Sequence, residues 1–140
     1  MEKNEIVIKD SISVKEFCRL REAVGFQRLT KEQAQKVLEH SPLLINAVYR
    51  EESIGLVRVL TDFVTDAYLT DVIVAPVYQG EGIGKILVQQ AISRLKDKSE
   101  DGIILACNLY ANPGKENFYE RFGFTKLPAG KYGYGMLREI

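Results

Sequence analysis

The apolar positions of this chain recur at two periods, and the switches between them mark out its elements. Glu5 to Lys9 carries an apolar pair about Val7 and predicts a short strand. Val14, Phe17, Cys18 and Leu20 then fall at helical spacing behind Ser13, whose partner Glu16 three residues on completes a capping-box pattern, and Gly25 should stop that helix. Thr30 is the expected N-cap of a second helix running through Gln33, Ala34, Val37 and Leu38 to the break at Ser41-Pro42. Leu43 to Tyr49 and Ser53 to Leu60 are β-rich runs separated by Arg50-Glu51-Glu52, the pattern of an antiparallel hairpin. Asp62 to Asp66 turns the chain into a third such run, Ala67 to Ala75, ended by Pro76. From Gly84 to about Lys96, Ile83, Ile86, Leu87, Ala91, Ile92 and Leu95 share one helical face. A further apolar run, Ile103 to Leu109, is broken at Asn112-Pro113-Gly114 before a short helix through Phe118, Tyr119 and Phe122, closed by Gly123. Phe124 to Ile140 is glycine-punctuated and β-like. The predicted order is β-α-α-β-β-β-α-β-α-β, a mixed α/β layout without linker or repeat.

Composition narrows this only a little. At 140 residues, 46% hydrophobic and 27% charged, the chain predicts a single domain over 1–140. Nineteen basic and nineteen acidic residues cancel, which removes the electrostatic footprint of a dedicated nucleic-acid binder. The start MEKNEIVIKD mixes charge with a strand pattern rather than opening a secretory signal, and no apolar stretch approaches membrane-spanning length. A cytoplasmic protein with no nucleic-acid or membrane partner is expected. Cys18 and Cys107 have no CxxC or Cys/His spacing about them, so no metal site is expected.

The candidate chemistry lies in VAPVYQGEGIGK, between the third β-run and the long helix, where glycines recur at 80, 82 and 84. Alternate glycines weaken any regular element, but they let successive backbone N–H groups converge at a helix N-terminus, where the unpaired amides and the helix dipole favour a phosphate. A Walker loop requires GxxxxGK[ST], and Lys85 is followed by Ile86; the dinucleotide fingerprint requires GxGxxG, and the third glycine here comes one residue early. The spacing that fits is Q/R-x-x-G-x-G/A, as Gln79, Gly82 and Gly84. Downstream, NPGKENFYERFGF fits N-x-x-x-x-x-F-Y-x-x-x-G-F with Asn112, Phe118, Tyr119, Gly123 and Phe124.

These two motifs in register resemble the GNAT superfamily of N-acetyltransferases, with specificity over roughly residues 43 to 126; Lys115 departs from the small residue common at its position. The resemblance implies a mostly antiparallel sheet flanked by helices and splayed at the cofactor strand near Val74. It implies acetyl-CoA as co-substrate, its pantetheine arm pairing with backbone groups of Ile73 and Val74, its pyrophosphate on the amides of Gln79, Gly80, Gly82, Ile83, Gly84 and Lys85, and Asn112 hydrogen-bonding the arm or the adenosine side. Whether the Lys85 ammonium reaches a phosphate stays open.

Acyl transfer to an amine sets further tasks. An alkyl ammonium with a pKa near ~10 must lose a proton, the developing oxyanion needs a donor, and the departing thiolate needs a proton. By resemblance the Val74 N–H serves the oxyanion and Tyr119 is the general acid, while the base is either Asp71 or a water chain. Neither cysteine has a partner that would activate it, which favours direct transfer in a ternary complex. Phe26, Arg28 and Tyr134 fall in the segments expected to line the acceptor pocket, along with the loop around Phe63. The implied acceptor is a small aryl or alkyl amine; a protein or peptide acceptor, a non-catalytic CoA-binding module and a homodimer stay open.

Overall fold

The computed structural model describes all 140 residues. Its strands are β1 (Val7–Lys9), β2 (Leu43–Tyr49), β3 (Glu52–Thr61), β4 (Asp66–Val74) and β5 (Ala106–Asn108), and its helices α1 (Val14–Ala23), α2 (Lys31–Glu39), α3 (Ile83–Lys98) and α4 (Glu116–Glu120). One sheet runs β1-β2-β3-β4-β5, antiparallel except where β5 lies parallel to β4. No helix is long and apolar enough to cross a membrane.

Local signals account for the element ends. Thr30 and Gln33 form a complete capping box at the start of α2. At α1 only half of the expected box forms: the Ser13 hydroxyl accepts from the Glu16 N–H at 3.1 Å, but the Glu16 carboxylate turns instead to Arg19 and the Ser53 N–H. The β2–β3 hairpin closes on Arg50 and Glu51, both at positive φ, the two-residue turn whose twist suits adjacent strands.

Every residue of β2 is buried because both faces of the sheet are covered. On one face, Ile45, Val57, Val59, Ala67 and Leu69 pack under Ile83, Leu87, Val88 and Ala91 of α3. On the other, Leu56, Ile73 and Ala75 meet Phe17 and Leu20 of α1 and Ala34 of α2. β4 changes sides midway. Arg58 pairs with Asp71 but Val59 pairs with Leu69, leaving Thr70 as an extra residue. This bulge inverts the alternation, so Ala67 and Leu69 face α3, whereas Ile73 and Ala75 face α1 and α2 and Val72 and Val74 turn toward α3.

Gly55 is required by space. A Cβ there would stand 2.9 Å from the Ile73 carbonyl oxygen and 3.0 Å from Leu87 Cδ1, so α3 can lie this close to the sheet only over a glycine. Gly55→Ala is expected to cost about 2 kcal/mol by overpacking, read as a lowered denaturation midpoint.

Two expectations are corrected. The run from Ile103 to Leu109 yields only the three residues of β5, so pairing with β4 ends at Tyr68–Asn108 and the splay opens six residues before Val74. The C-terminal stretch from Phe124 forms no strand, only an isolated bridge between Ala129 and Tyr132. Its alternation has no partner edge to satisfy it, and Gly130, Gly133 and Gly135 weaken any strand that lacks one.

Candidate active site

The divergence of β4 from β5 leaves one side of β4 unpaired, and the backbone phase decides which groups face it. The Ala75 N–H donates to the Ile54 carbonyl at 2.8 Å, which makes Ala75–Ile54 a hydrogen-bonded pair. Counting back in the antiparallel register, Ile73 also directs its N–H and C=O to β3, while Val72 and Val74 direct theirs to the open edge. Of the two residues expected to offer backbone groups, Val74 alone does so. Its carbonyl accepts from the Gln79 Nε2 amide at 3.0 Å, so this side chain braces the open edge.

Beyond Gln79 the chain enters the glycine loop. Gly80 and Gly82 hold φ of +82° and +84°, and Gly82 is the N-cap of α3 with no side-chain cap. The first intrahelical bond runs from the Ile86 N–H to the Gly82 carbonyl, which leaves the amides of Ile83, Gly84 and Lys85 without helical partners. Space at Gly84 is set by α4: a Cβ there would meet Phe118 Cζ at 3.3 Å, which links the two motifs physically. The Lys85 side chain is exposed on α3. A lysine that the sequence pattern did not single out, Lys3, brings its Nζ to 3.4 Å from where a Cβ of Gly82 would lie.

Next to this edge a cavity of about 320 Å³ is lined by Arg21, Phe26 and Gln27 from the end of α1, Leu69 to Val72 of β4, Tyr110 and Asn112 after β5, and Tyr119 of α4. Asp71, Asn112, Tyr119 and Phe26 are thus brought together. Arg28 is not: its side chain is 85% exposed and pairs with Glu22 at 3.5 Å. Tyr134 is also outside, 78% exposed on the C-terminal stretch, and Phe63 sits beside Lys98 at the far end of α3.

Tyr119 is fixed by edge-on contacts with Phe118 and Phe124, at centroid distances of 5.0 and 6.0 Å, and burial pushes its phenol above the ordinary range. The hydroxyl therefore stays protonated at neutral pH. Asp71 is buried with two cationic neighbours. Arg58 Nε donates to its Oδ2 at 2.8 Å and Arg21 Nη1 approaches the same oxygen at 3.5 Å. Oδ1 accepts no hydrogen bond, yet the only buried side-chain polar atoms lacking a partner are Arg21 Nε and Asn46 Oδ1. Oδ1 of Asp71 accordingly opens on the cavity. Arg58 and Tyr110 were not anticipated. The signal for Arg58 was a lone charge inside the apolar run of β3, opposite the one acid in the interior of β4.

A second cavity of about 260 Å³, between α3 and residues 103–107, contains none of the expected site residues. Cys107 lines it, and burial pushes its thiol up to about 11, which makes it inert as a nucleophile at neutral pH. No group of three or more His, Cys, Asp or Glu side chains is placed to hold a metal ion.

The profile of the acetyltransferase (GNAT) family matches residues 12–124. The chain belongs to the GNAT acetyltransferase family. It is 34% identical over 116 residues to the uncharacterized N-acetyltransferase ycf52-like protein of Prochlorococcus marinus, covering 80% of this chain and 62% of that one. It is 31% identical over 123 residues to serotonin N-acetyltransferase 2, chloroplastic, of rice, covering 82% of this chain and 58% of that protein. The chain therefore spans about three-fifths of the length of these two relatives. Its fold superposes on a probable acetyltransferase from Staphylococcus aureus with a TM-score of 0.82 over 96% of this chain and 99% of the other, at 23% identity. Along β4, the cavity wall at Leu69 to Val72 is followed two residues later by the Val74 carbonyl that Gln79, at the start of the glycine loop, holds.

Proposed function

We propose that this GNAT acetyltransferase moves the acetyl group of acetyl-CoA directly to the primary amine of a small aryl-alkyl acceptor. The observation that carries the reading is the shared cavity: Asp71 of β4, Asn112 after β5 and Tyr119 of α4 all line it, beside an unpaired strand edge. The unpartnered amides at the start of α3 suit the diphosphate of CoA, and the backbone groups of Val72 on the open β4 edge suit its extended arm. Asn112, on the cavity wall, is a hydrogen-bonding group for that arm.

In the reaction the amine nitrogen bonds to the thioester carbon and the C–S bond breaks. Asp71 Oδ1 accepts the hydrogen bond of the incoming amine and takes its proton, directly or through cavity water. The Val74 N–H faces the edge where the carbonyl oxygen gains charge. Tyr119 gives its phenolic proton to the departing sulfur and is reprotonated from solvent. Phe26, Tyr110 and Tyr119 line the same cavity as Asp71, which suits an aromatic amine, and the rice relative is named for such a substrate. A cytoplasmic setting accords with the sequence, although that relative is chloroplastic.

The test is thiol release from acetyl-CoA across a panel of aryl-alkyl amines, polyamines and peptides. Turnover confined to peptides, or tight acetyl-CoA binding with no turnover on any amine, would refute the proposed acceptor. The loop is tested separately. Gly82→Val places a β-branched residue at φ +84°, where strain of about 1–3 kcal/mol distorts the cradle. Its acetyl-CoA dissociation constant, measured by calorimetry, is expected to rise about 10-fold or more.

A further inference from the structure

Arg21 makes more contacts than charge balance for Asp71 requires. Its guanidinium reaches from α1 to Asp71 Oδ2 at 3.5 Å, and its Nη2 donates to the Gln27 carbonyl at 3.3 Å. It also lies 5.5 Å from the Phe17 ring centroid and 5.3 Å from that of Phe26. Phe17 belongs to the core beneath α1, whereas Phe26 and Gln27 line the cavity after α1 has ended. The backbone converges on the same residue: the Phe26 N–H donates to the Arg21 carbonyl at 2.9 Å, across Gly25 at φ +79°. The segment that follows Gly25 has no strand pairing. Arg58, the other cation on Asp71, reaches Ser41 Oγ and makes no hydrogen bond to this segment.

We infer that Arg21 is a positioning residue for the acceptor: it clamps the Phe26–Gln27 wall against Asp71 and so sets the width of the acceptor end of the cavity. The physical reason is the planar fork of arginine, which offers separate N–H groups to the carboxylate and the carbonyl while its faces take the aromatic rings. A lysine has the charge but cannot hold both oxygens and both rings at once. Arg21 thereby couples acceptor affinity to the geometry of the carboxylate, and the inference rests on the acceptor reading given above.

Arg21→Lys and Arg58→Lys separate this role from simple charge balance, since both weaken a contact to Asp71 and only the first releases the wall. With tryptamine and acetyl-CoA as substrates, both variants are expected to lower kcat to a similar degree. Only Arg21→Lys should raise the tryptamine KM, by about 10-fold, with the acetyl-CoA KM within 2-fold of wild type. Amide hydrogen exchange over residues 25–29 should accelerate about 10-fold in Arg21→Lys and stay at the wild-type rate in Arg58→Lys. Equal tryptamine KM values in the two variants, or unchanged exchange in Arg21→Lys, would overturn the clamp. If wild type acetylates no amine at all, the acceptor reading fails while the exchange measurement still decides whether Arg21 holds the wall.

Discussion

Replacing Asp71 by Asn is expected to lower the melting temperature by about 10 °C, from a stability loss of about 3 kcal/mol. The side chains of Asp71, Arg21 and Arg58 are 6%, 12% and 13% exposed, so the substitution leaves two guanidinium groups facing each other largely out of water. Removing one partner of a buried ion cluster costs more than the cluster itself contributes, because the remaining charges lose their compensation. The loss falls at the low end for a buried ion cluster because Oδ1 already meets the cavity. The triple variant Asp71→Leu, Arg21→Met, Arg58→Met should recover most of the lost stability, since apolar residues of similar size fill the same space without a desolvation cost. It should recover none of the activity. Thermal denaturation of the single and triple variants is the measurement; an Asp71→Asn midpoint within 2 °C of wild type would show that the cluster does not hold the sheet to α1.

Tyr119→Phe should reduce kcat by about 100-fold while acetyl-CoA binding stays within 2-fold, because only a proton donor is lost. The ring contacts with Phe118 and Phe124 survive the change, so folding is not expected to suffer. The pH profile gives the sign. Burial raises the Tyr119 phenol, so the active, protonated form persists through neutral pH and activity is lost only on the alkaline side of the ordinary tyrosine range. Tyr119→Phe should abolish that alkaline limb along with most of the rate. A variant as fast as wild type, with the same alkaline fall, would remove Tyr119 from the proton path.

The glycine loop and the α4 segment were legible because their signals are local. The glycines at 80, 82 and 84 and the Asn112–Phe124 motif each lie within thirteen residues or fewer, and what they specify is backbone conformation next to a helix. The cavity wall was less legible. Phe26 was anticipated and lines the cavity, but Arg28 and Tyr134, chosen from the same kinds of segment, point away from it. Composition says that an aromatic or an arginine is present; it does not say which side of a turn it leaves from. Arg58 was not legible because its meaning depends on Asp71, thirteen positions away and across a strand pair.

By itself the sequence determined the order of elements up to α4, the capped starts of α1 and α2, the glycine loop and the family resemblance, all of which follow from hydrophobic period and short-range spacing. Tertiary structure decided the rest. The single extra residue at Thr70 inverts the alternation of β4, and so puts Asp71 on the face that meets Arg21, fifty positions away. The point where β4 and β5 part, six residues before Val74, and the failure of the C-terminal stretch to form a strand both depend on which edges find partners. Strand pairing is a contest between distant segments for the same N–H and C=O groups. Its outcome appears only when the whole sheet is assembled.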